Sequence, residues 1–310
     1  MLDLLHTLPG LSLFLGPNPD WKQLLLALMT PVFFLAFFIE FAAQRRANPG
    51  HTVHWKEVFA NIGLGTTYQA IEGLMWLLVT GAVFNAVYAH RLFTIEATAL
   101  TVLPIYLLVE LCYYAFHRAS HRIRWFWAAH VVHHTGEHMN FSTAARQSIL
   151  NGVLGSAAFY LPAVWLGVSP GVVMLMLAIN LVYQYFIHTE WVQRLPAWVE
   201  WVFNTPSHHR VHHGRNARYI DKNFGGTLIV FDRLLGSFEP ETEAVDYGIP
   251  RQIQSHNLFV LNLHEFIDML RDVAAPGPWW QRLQHLWRPP EWEREGHTPI
   301  HTFSVKRHDR

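Results

Sequence analysis

The sequence predicts an all-α integral membrane protein, a bundle of four to five apolar helical segments. Composition is the first observation: the 310 residues are 51% hydrophobic and only 15% charged, whereas soluble domains carry about 25% charged residues. Aromatic content is the second, with 13 Trp and 21 Phe. The third is a series of apolar runs that approach the roughly 20 residues a helix needs to cross a bilayer.

The apolar segments cover about residues 24–43, 58–88, 99–116, 149–166 and 172–187. The second contains Glu72 and several glycines, so it is either one tilted helix or a helix with an irregular start. The third contains Glu110, which at that depth is either functional or a carboxyl hydrogen-bonded between helices. The Gly/Pro-containing connector 167–171 predicts a tight turn, and hence a helical hairpin from the last two segments. Each arm is barely long enough to span, which leaves partial embedding of one arm open.

Basic residues indicate the orientation, because they collect in cytoplasmic loops. They follow the first, third and fifth segments: Arg45, Arg46 and Lys56; Arg118, Arg122, Arg124 and Arg146; Arg194, Arg210, Arg215, Arg218 and Lys222. The connectors on the opposite side contain only Arg91. The charge pattern therefore predicts an outside N-terminus and places these basic regions on the cytoplasmic face.

Three regions follow from this organisation: N-terminal transmembrane helices (1–98), a central core (99–240) and a cytoplasmic C-terminal cap and tail (241–310). Apolar spacing over 256–272 predicts a helix in the cap. The tryptophans near residues 279–292 resemble an interfacial aromatic cluster or the core of the cap. The N-terminus lacks the basic start of a cleavable signal peptide.

Composition also excludes several classes of protein. Lys plus Arg equals Asp plus Glu, at 23 each, so net charge does not favour nucleic-acid binding. Cys112 is the only cysteine, which excludes an internal disulfide framework and a cysteine-based zinc or iron–sulfur cluster within this chain.

Histidines provide the strongest functional signal. They form three boxes, HRASH (117–121), HVVHH (130–134) and HRVHH (209–213). Residues three or four apart share one face of a helix, so each box directs two or three imidazoles the same way. Neutral imidazole is a good ligand for iron, copper, nickel and zinc. Eight histidines exceed the needs of one tetrahedral ion, so the boxes predict a two-metal centre.

A dinuclear iron centre that activates dioxygen fits this ligand count. In the predicted topology the boxes lie on the cytoplasmic face, where an apolar substrate can enter from the lipid. Two other classes have the same histidine content. A metal transporter would carry ligands through the full membrane depth, and a zinc-binding membrane scaffold would have no oxidase chemistry.

The three boxes resemble the eight-histidine pattern of the fatty acid hydroxylase/sterol desaturase superfamily of membrane di-iron oxygenases, over residues 100–240. Segments 133–148 (HHTGEHMNFSTAARQS), 186–191 (FIHTEW) and 204–241 are similar to its alkylglycerol monooxygenase branch. This resemblance implies hydroxylation of the carbon next to an ether oxygen, with tetrahydrobiopterin as reductant. It also leaves open fatty-acyl or sterol hydroxylation or desaturation, and carotenoid hydroxylation.

The resemblance implies eight metal ligands: His117, His121, His130, His133, His134, His209, His212 and His213. His188 is predicted as a ninth, because the second hairpin helix carries it to the face where the boxes gather. Its alternative is a hydrogen-bonded interfacial histidine. His208 would point about 100° away from His209 on a helix, so it is predicted outside the ligand set, as is His138.

Other polar residues near the boxes have predicted supporting roles. The candidates to orient the ligand rings by accepting from their free nitrogens are Glu137, Glu190, Asp221, Asn223 and Asp232. Tyr183 and Gln184 are predicted to face the same cavity as His188. Arg146 and Gln147 are predicted to fix the loop between helix ends.

The predicted reaction uses two iron ions and dioxygen to oxidise a C–H bond of a lipid. Because the sequence contains no His-Pro-Gly-Gly haem signature, cysteine cluster or GxGxxG motif, electrons must come from a separate redox partner or a pterin. The expected location is a bacterial inner membrane, or the endoplasmic reticulum if the protein is eukaryotic.

Overall fold

The computed structural model describes residues 20–303, which fold into helices without any β-strand beyond isolated bridges. The predicted all-helical class is thus confirmed. The α-helices are α1 (Trp21–Ala47), α2 (Trp55–Met75), α3 (Gly81–Ala89), α4 (Val102–Arg122), α5 (Arg124–His134), α6 (Leu150–Val153), α7 (Leu161–Leu166), α8 (Pro170–Ile187), α9 (Ala197–Val202), α10 (Pro206–His212), α11 (Val230–Leu235), α12 (Leu258–Ala274) and α13 (Trp279–Gln284).

The first two apolar segments form long helices. Helix α1 begins after Asp20, whose carboxylate accepts from the backbone N–H of Lys22 and Gln23 at 3.0 and 3.2 Å. Helices α2 and α3 join through a π-helical turn at Trp76–Thr80 and make one 35-residue helix. The second segment is therefore one helix, and its irregularity lies in the middle rather than at the start.

Three helices of the described region are long and apolar enough to cross a membrane: α1, the joined α2–α3, and α8. Large apolar side chains on the first two face outward; for example, Leu35 is 61% exposed and Leu77 is 78% exposed. Such faces suit contact with lipid. Helix α4 is not among the three, because its last turns carry a histidine box and arginines in place of apolar residues.

The predicted hairpin has only one regular arm. Residues 149–166 do not form a single helix but divide into α6, a 3₁₀ turn at Ser156–Tyr160 and α7. Gly155 lies at the break with a φ of +85°, a conformation that costs a side-chain-bearing residue about 1–2 kcal/mol. The two halves, Phe141–Val153 and Ser156–Leu166, are bent by 92°, and only together could they supply a fourth span. The prediction of a helical hairpin was therefore wrong in its first arm, which is broken into short helices.

Two packing arrangements position the histidine helices. Helix α1 packs along α8, with Phe33 stacked on Tyr185 at 4.1 Å between ring centroids. The predicted C-terminal helix exists as α12 and packs on α5, burying Leu261 and Met269 completely. The helix that carries the second histidine box is thus held from the side by the C-terminal region.

A buried ion-pair network strengthens the contact between α5 and α12. Arg124, at the start of α5, donates to Glu265 at 2.7 Å and to Asp272 at 2.6 Å. The Arg124 side chain is only 1% exposed. Removing the cation would leave two carboxylates without their partner in a place that water scarcely reaches.

We expect Arg124→Met to lower the free energy of unfolding by about 3–5 kcal/mol, because it removes one partner of a buried pair. The control is Arg218→Met: Arg218 pairs with Glu239 at 2.6 Å but is 50% exposed, and exposed pairs contribute about 0–1 kcal/mol. Thermal unfolding in detergent micelles, followed by circular dichroism, measures both. Equal effects of the two variants would contradict the structural role of the network.

Candidate metal centre

All nine histidines predicted as ligands are buried and lie together where α4, α5 and α10 meet the end of α8. They form two groups. The first cluster contains His117, His121, His130, His134 and His212; the second cluster contains His133, His188, His209 and His213. Within each cluster, one ring nitrogen of every histidine lies within 4.8 Å of the others.

Helical spacing explains how each box supplies its rings. His117 and His121 are one turn apart on α4, so they project from the same face. Helix α5 contributes to both clusters: His130 and His134 enter the first, and His133 enters the second. The ring centroids of His134 and His213 are 4.5 Å apart across the two clusters. The clusters are therefore direct neighbours.

Backbone carbonyl groups fix the orientation of four rings. Each accepts a hydrogen bond from a histidine Nδ1: His117 to Phe224 (2.7 Å), His133 to Arg146 (3.2 Å), His188 to Gln184 (2.6 Å) and His212 to Lys222 (2.9 Å). A carbonyl oxygen can only accept, so Nδ1 carries the proton in these rings. Their Nε2 atoms consequently carry lone pairs.

This arrangement sets lone pairs against each other. Nε2 of His133 and Nε2 of His188 are 3.2 Å apart, yet both rings already use Nδ1 as the donor. Two lone pairs at this distance repel unless a cation lies between them. Protonation of one ring would supply a cation. Burial, however, lowers the pKa of His133 well below its ordinary value, and the neighbouring His188 lowers this pKa further. A metal ion between the two nitrogens would relieve this repulsion.

The nitrogen spacings fit such an ion. Two ligand nitrogens, each about 2.0–2.1 Å from one ion, lie about 2.9–3.4 Å apart at angles between 90° and tetrahedral. Nε2 of His130 is 3.1 Å from Nε2 of both His117 and His134, and Nε2 of His209 is 2.8 Å from that of His188. Nε2 of His121 and of His212 is buried and has no hydrogen-bond partner within the described part of the chain. These residues therefore fit a pair of metal ions.

Burial also keeps the rings in the ligand-competent state. It lowers the pKa of His212 to about 4, and it lowers the pKa values of His134 and His213 well below the ordinary range. A protonated imidazole cannot bind a metal, whereas a neutral one can. Near neutral pH the buried rings thus present lone pairs rather than positive charge.

The polar residues predicted to support the rings behave differently from one another. Asp232 accepts from the backbone N–H of Phe224 at 2.8 Å and of Gly225 at 2.7 Å, and so holds the segment whose carbonyl binds His117. Asp221 lies 3.5 Å from Nδ1 of His121. Asn223 donates to the backbone carbonyl of His208 at 3.0 Å. Two of these three therefore act on backbone rather than on a ring.

Glu137 and Glu190 do not orient a ring. The Glu137 side chain is 40% exposed and lies 4.0 Å from Arg215, and Glu190 is exposed. His138 pairs with Glu57 at 2.8 Å, outside both clusters. His208 also lies outside them, and its Nδ1 bonds the carbonyl of Phe203 at 3.2 Å.

Arg146 holds the loop that follows α5, as predicted. Its guanidinium donates to the carbonyl of Val132 at 2.9 Å, to the hydroxyl of Thr135 at 2.7 Å and to Asn61 at 2.9 Å. The backbone carbonyl of Arg146 accepts from His133. The Arg146 side chain thus holds in place its own backbone carbonyl, which accepts the hydrogen bond from His133.

A hydrogen-bond network around Glu110 connects α4 with α8. Glu110 accepts from the backbone N–H of Thr227 at 3.0 Å and from Asn180, which in turn accepts from Gln184. Tyr113 donates to Gln184 at 2.8 Å. Glu110 is therefore the carboxyl hydrogen-bonded between helices, and its network ends at the residue whose carbonyl fixes His188.

A cavity of about 480 Å³ opens beside the two clusters. His130, His133 and His188 line its inner end together with Tyr113 and Gln184. Phenylalanines of α1 and α2 form much of the remaining wall. The prediction for Gln184 is confirmed, whereas Tyr183 does not line the cavity and donates to the carbonyl of Asn204 at 2.8 Å.

Residues 102–237, which contain all nine clustered histidines, match the fatty acid hydroxylase family model. Over 184 residues the chain is 40% identical to alkylglycerol monooxygenase of Homo sapiens, covering 59% of this chain and 41% of the relative. The Caenorhabditis elegans alkylglycerol monooxygenase is 37% identical over 169 residues, 52% of this chain and 32% of the relative.

A bacterial relative is more distant. Ornithine lipid hydroxylase of Rhizobium tropici is 25% identical over 148 residues, which cover 47% of this chain and 44% of the relative. The matches thus span less than half the length of each of these curated relatives. No solved structure matches the chain.

We expect the intact protein to bind two transition-metal ions and His188→Ala to retain about one, because this change removes one of the four rings of the second cluster. His208→Gln is the matched control, since His208 adjoins a clustered histidine without belonging to either cluster. Mass spectrometric metal analysis of protein reconstituted with ferrous ion under anaerobic conditions gives the count. Less than one ion in the unaltered protein would contradict the assignment.

Proposed function

We propose that the chain is a membrane monooxygenase that hydroxylates a C–H bond of a lipid with dioxygen, because residues 102–237 match the fatty acid hydroxylase family model. The observation that carries the proposal is the pair of buried clusters with opposed lone pairs, placed at the inner end of an apolar cavity. Each cluster would hold one iron ion through neutral imidazoles.

Iron bound in this way would supply the binding and reductive activation of dioxygen. The chain's own residues do the remaining work. Carbonyl groups hold the ligand rings in one tautomer, so the ligand set does not reorganise during turnover. The phenylalanine-rich wall, which includes Phe33 and Phe37, excludes water and holds an alkyl chain against the clusters. Tyr113 and Gln184, which line the cavity with the histidines, offer polar contacts to the substrate.

The relatives support a polar lipid with a long chain as substrate. By their names, these relatives act on alkylglycerols and on ornithine lipid. Hydroxylation next to an ether oxygen is the first reaction to test, followed by hydroxylation of an acyl chain. Electrons would come from tetrahydrobiopterin or from a separate redox protein.

We place the centre on the cytoplasmic face. Glu40, near the end of α1, accepts from the backbone N–H of Phe141 at 2.8 Å, so the C-terminal end of α1 lies on the same side as the histidines. That end carries Arg45 and Arg46. Basic residues at the ends of spans favour the cytoplasmic side.

We expect one atom of ¹⁸O from ¹⁸O₂ to appear in the lipid product when the reconstituted protein receives a reductant and an alkylglycerol or acyl lipid. His133→Ala should reduce the rate about 100-fold or more, because it removes a ring of the second cluster; loss of ligand-orienting contacts alone costs about 10–100-fold. His90→Ala is the control, since His90 is exposed at the end of α3. Lipid mass spectrometry measures both, and ¹⁸O-free product would contradict the monooxygenase assignment.

A further inference from the structure

The cavity extends well beyond the histidines. Lys22 and Phe37 both line it, and the 15 residues between them on α1 correspond to about 22 Å at 1.5 Å per residue. On α2, Val58 and Glu72 line the same cavity over a similar length. One leaflet of a bilayer hydrocarbon core is only about 15 Å thick. The cavity therefore reaches from the histidine clusters to the opposite end of α1.

That opposite end is polar. Lys22 donates to Glu72 at 2.8 Å, and their side chains are only 8% and 12% exposed. Asp20, Tyr68 and Gln69 complete the lining there. Burying a charged pair is costly, and Lys22 and Glu72 bear that cost at the wall of a cavity. An alkyl chain end would meet charged and amide groups at this position, which is unfavourable.

Two hydrogen-bond acceptors at this end have no partner among residues 20–303. Oε1 of Glu72 and Oε1 of Gln69 are buried and make no hydrogen bond within the part of the chain that the structure describes. Leaving buried polar atoms unpaired is costly. Since both atoms are acceptors, a hydrogen-bond donor satisfies them. The Glu72 carboxylate also disfavours a phosphate or carboxylate, because Lys22 is already paired.

From this geometry we infer that the Lys22–Glu72 end of the cavity binds a hydrogen-bond-donating group of the lipid, a hydroxyl or an ammonium. This inference rests on the proposed function for the identity of the ligand as the substrate. The alkyl chain then runs along the phenylalanine wall to the histidines. The oxidised carbon then lies about 20 Å from the donor group, by the helical rise along α1, so this binding mode fits hydroxylation along an acyl chain. It does not fit hydroxylation next to the ether oxygen of an alkylglycerol, whose hydroxyl groups lie only a few bonds from that carbon.

The test is a binding measurement on the metal-free full-length protein in lipid nanodiscs, with radiolabelled hexadecanol and competition by its methyl ether. The alcohol has a donor and the ether does not. We expect the alcohol to bind about fivefold more tightly, the effect of one hydrogen bond. Gln69→Leu should abolish this preference. Gln69→Glu, which keeps an acceptor, should preserve it.

Gln23→Leu is the matched control. Nε2 of Gln23 is also buried without a partner, but Gln23 does not line the cavity, so this variant should keep the preference. Equal binding of the two probes to the unaltered protein, or a preference that survives in Gln69→Leu, would overturn the inference. A preference without any ¹⁸O-labelled product would sustain the polar site and contradict the proposed function. Labelled product without a preference for the alcohol would sustain the proposed function and contradict the polar site.

Discussion

The mutual repulsion of imidazole lone pairs is the constraint on which the rest of this structure depends. Backbone carbonyls commit the protons of four rings to Nδ1, and this leaves Nε2 atoms facing one another at about 3 Å. Such an interior is unfavourable without a cation. The helices around it are correspondingly well anchored: Asp232 and Arg146 hold backbone segments that offer the carbonyls, and Arg124 fixes the helix that supplies three rings. The groups that orient the histidine rings are therefore mostly backbone carbonyls.

The sequence predicted which histidines come together better than it predicted their surroundings. The family resemblance implied the eight histidines of the boxes, the predicted hairpin added His188, and all nine lie in the two clusters. Their division was not predictable, because His133 and His134 are adjacent in sequence but enter different clusters. The carbonyls of Phe224, Lys222 and Gln184 left no signal, since every residue has one. Glu137 and Glu190 carried the right chemistry but face away from the rings.

The fold, like the site, was predictable from the sequence only in part. Hydropathy identified α1, the joined α2–α3 and α8, because lipid contact requires an apolar exterior along a whole helix. It failed at residues 149–166, where composition is equally apolar but Gly155 adopts a positive φ and breaks the helix. The polar end of the cavity was also hidden. Lys22 and Glu72 are 50 residues apart, and only the antiparallel packing of α1 and α2 brings them together.

The separation of the histidines along the chain sets an order of assembly during synthesis. Residues 117–134 already contain four of the five rings of the first cluster, but only one of the four in the second. His188 arrives with α8, and the last two rings arrive with α10. Before α8 and α10 are made, the first cluster lacks only His212, whereas the second lacks three of its four rings. The second cluster therefore depends far more than the first on the later part of the chain.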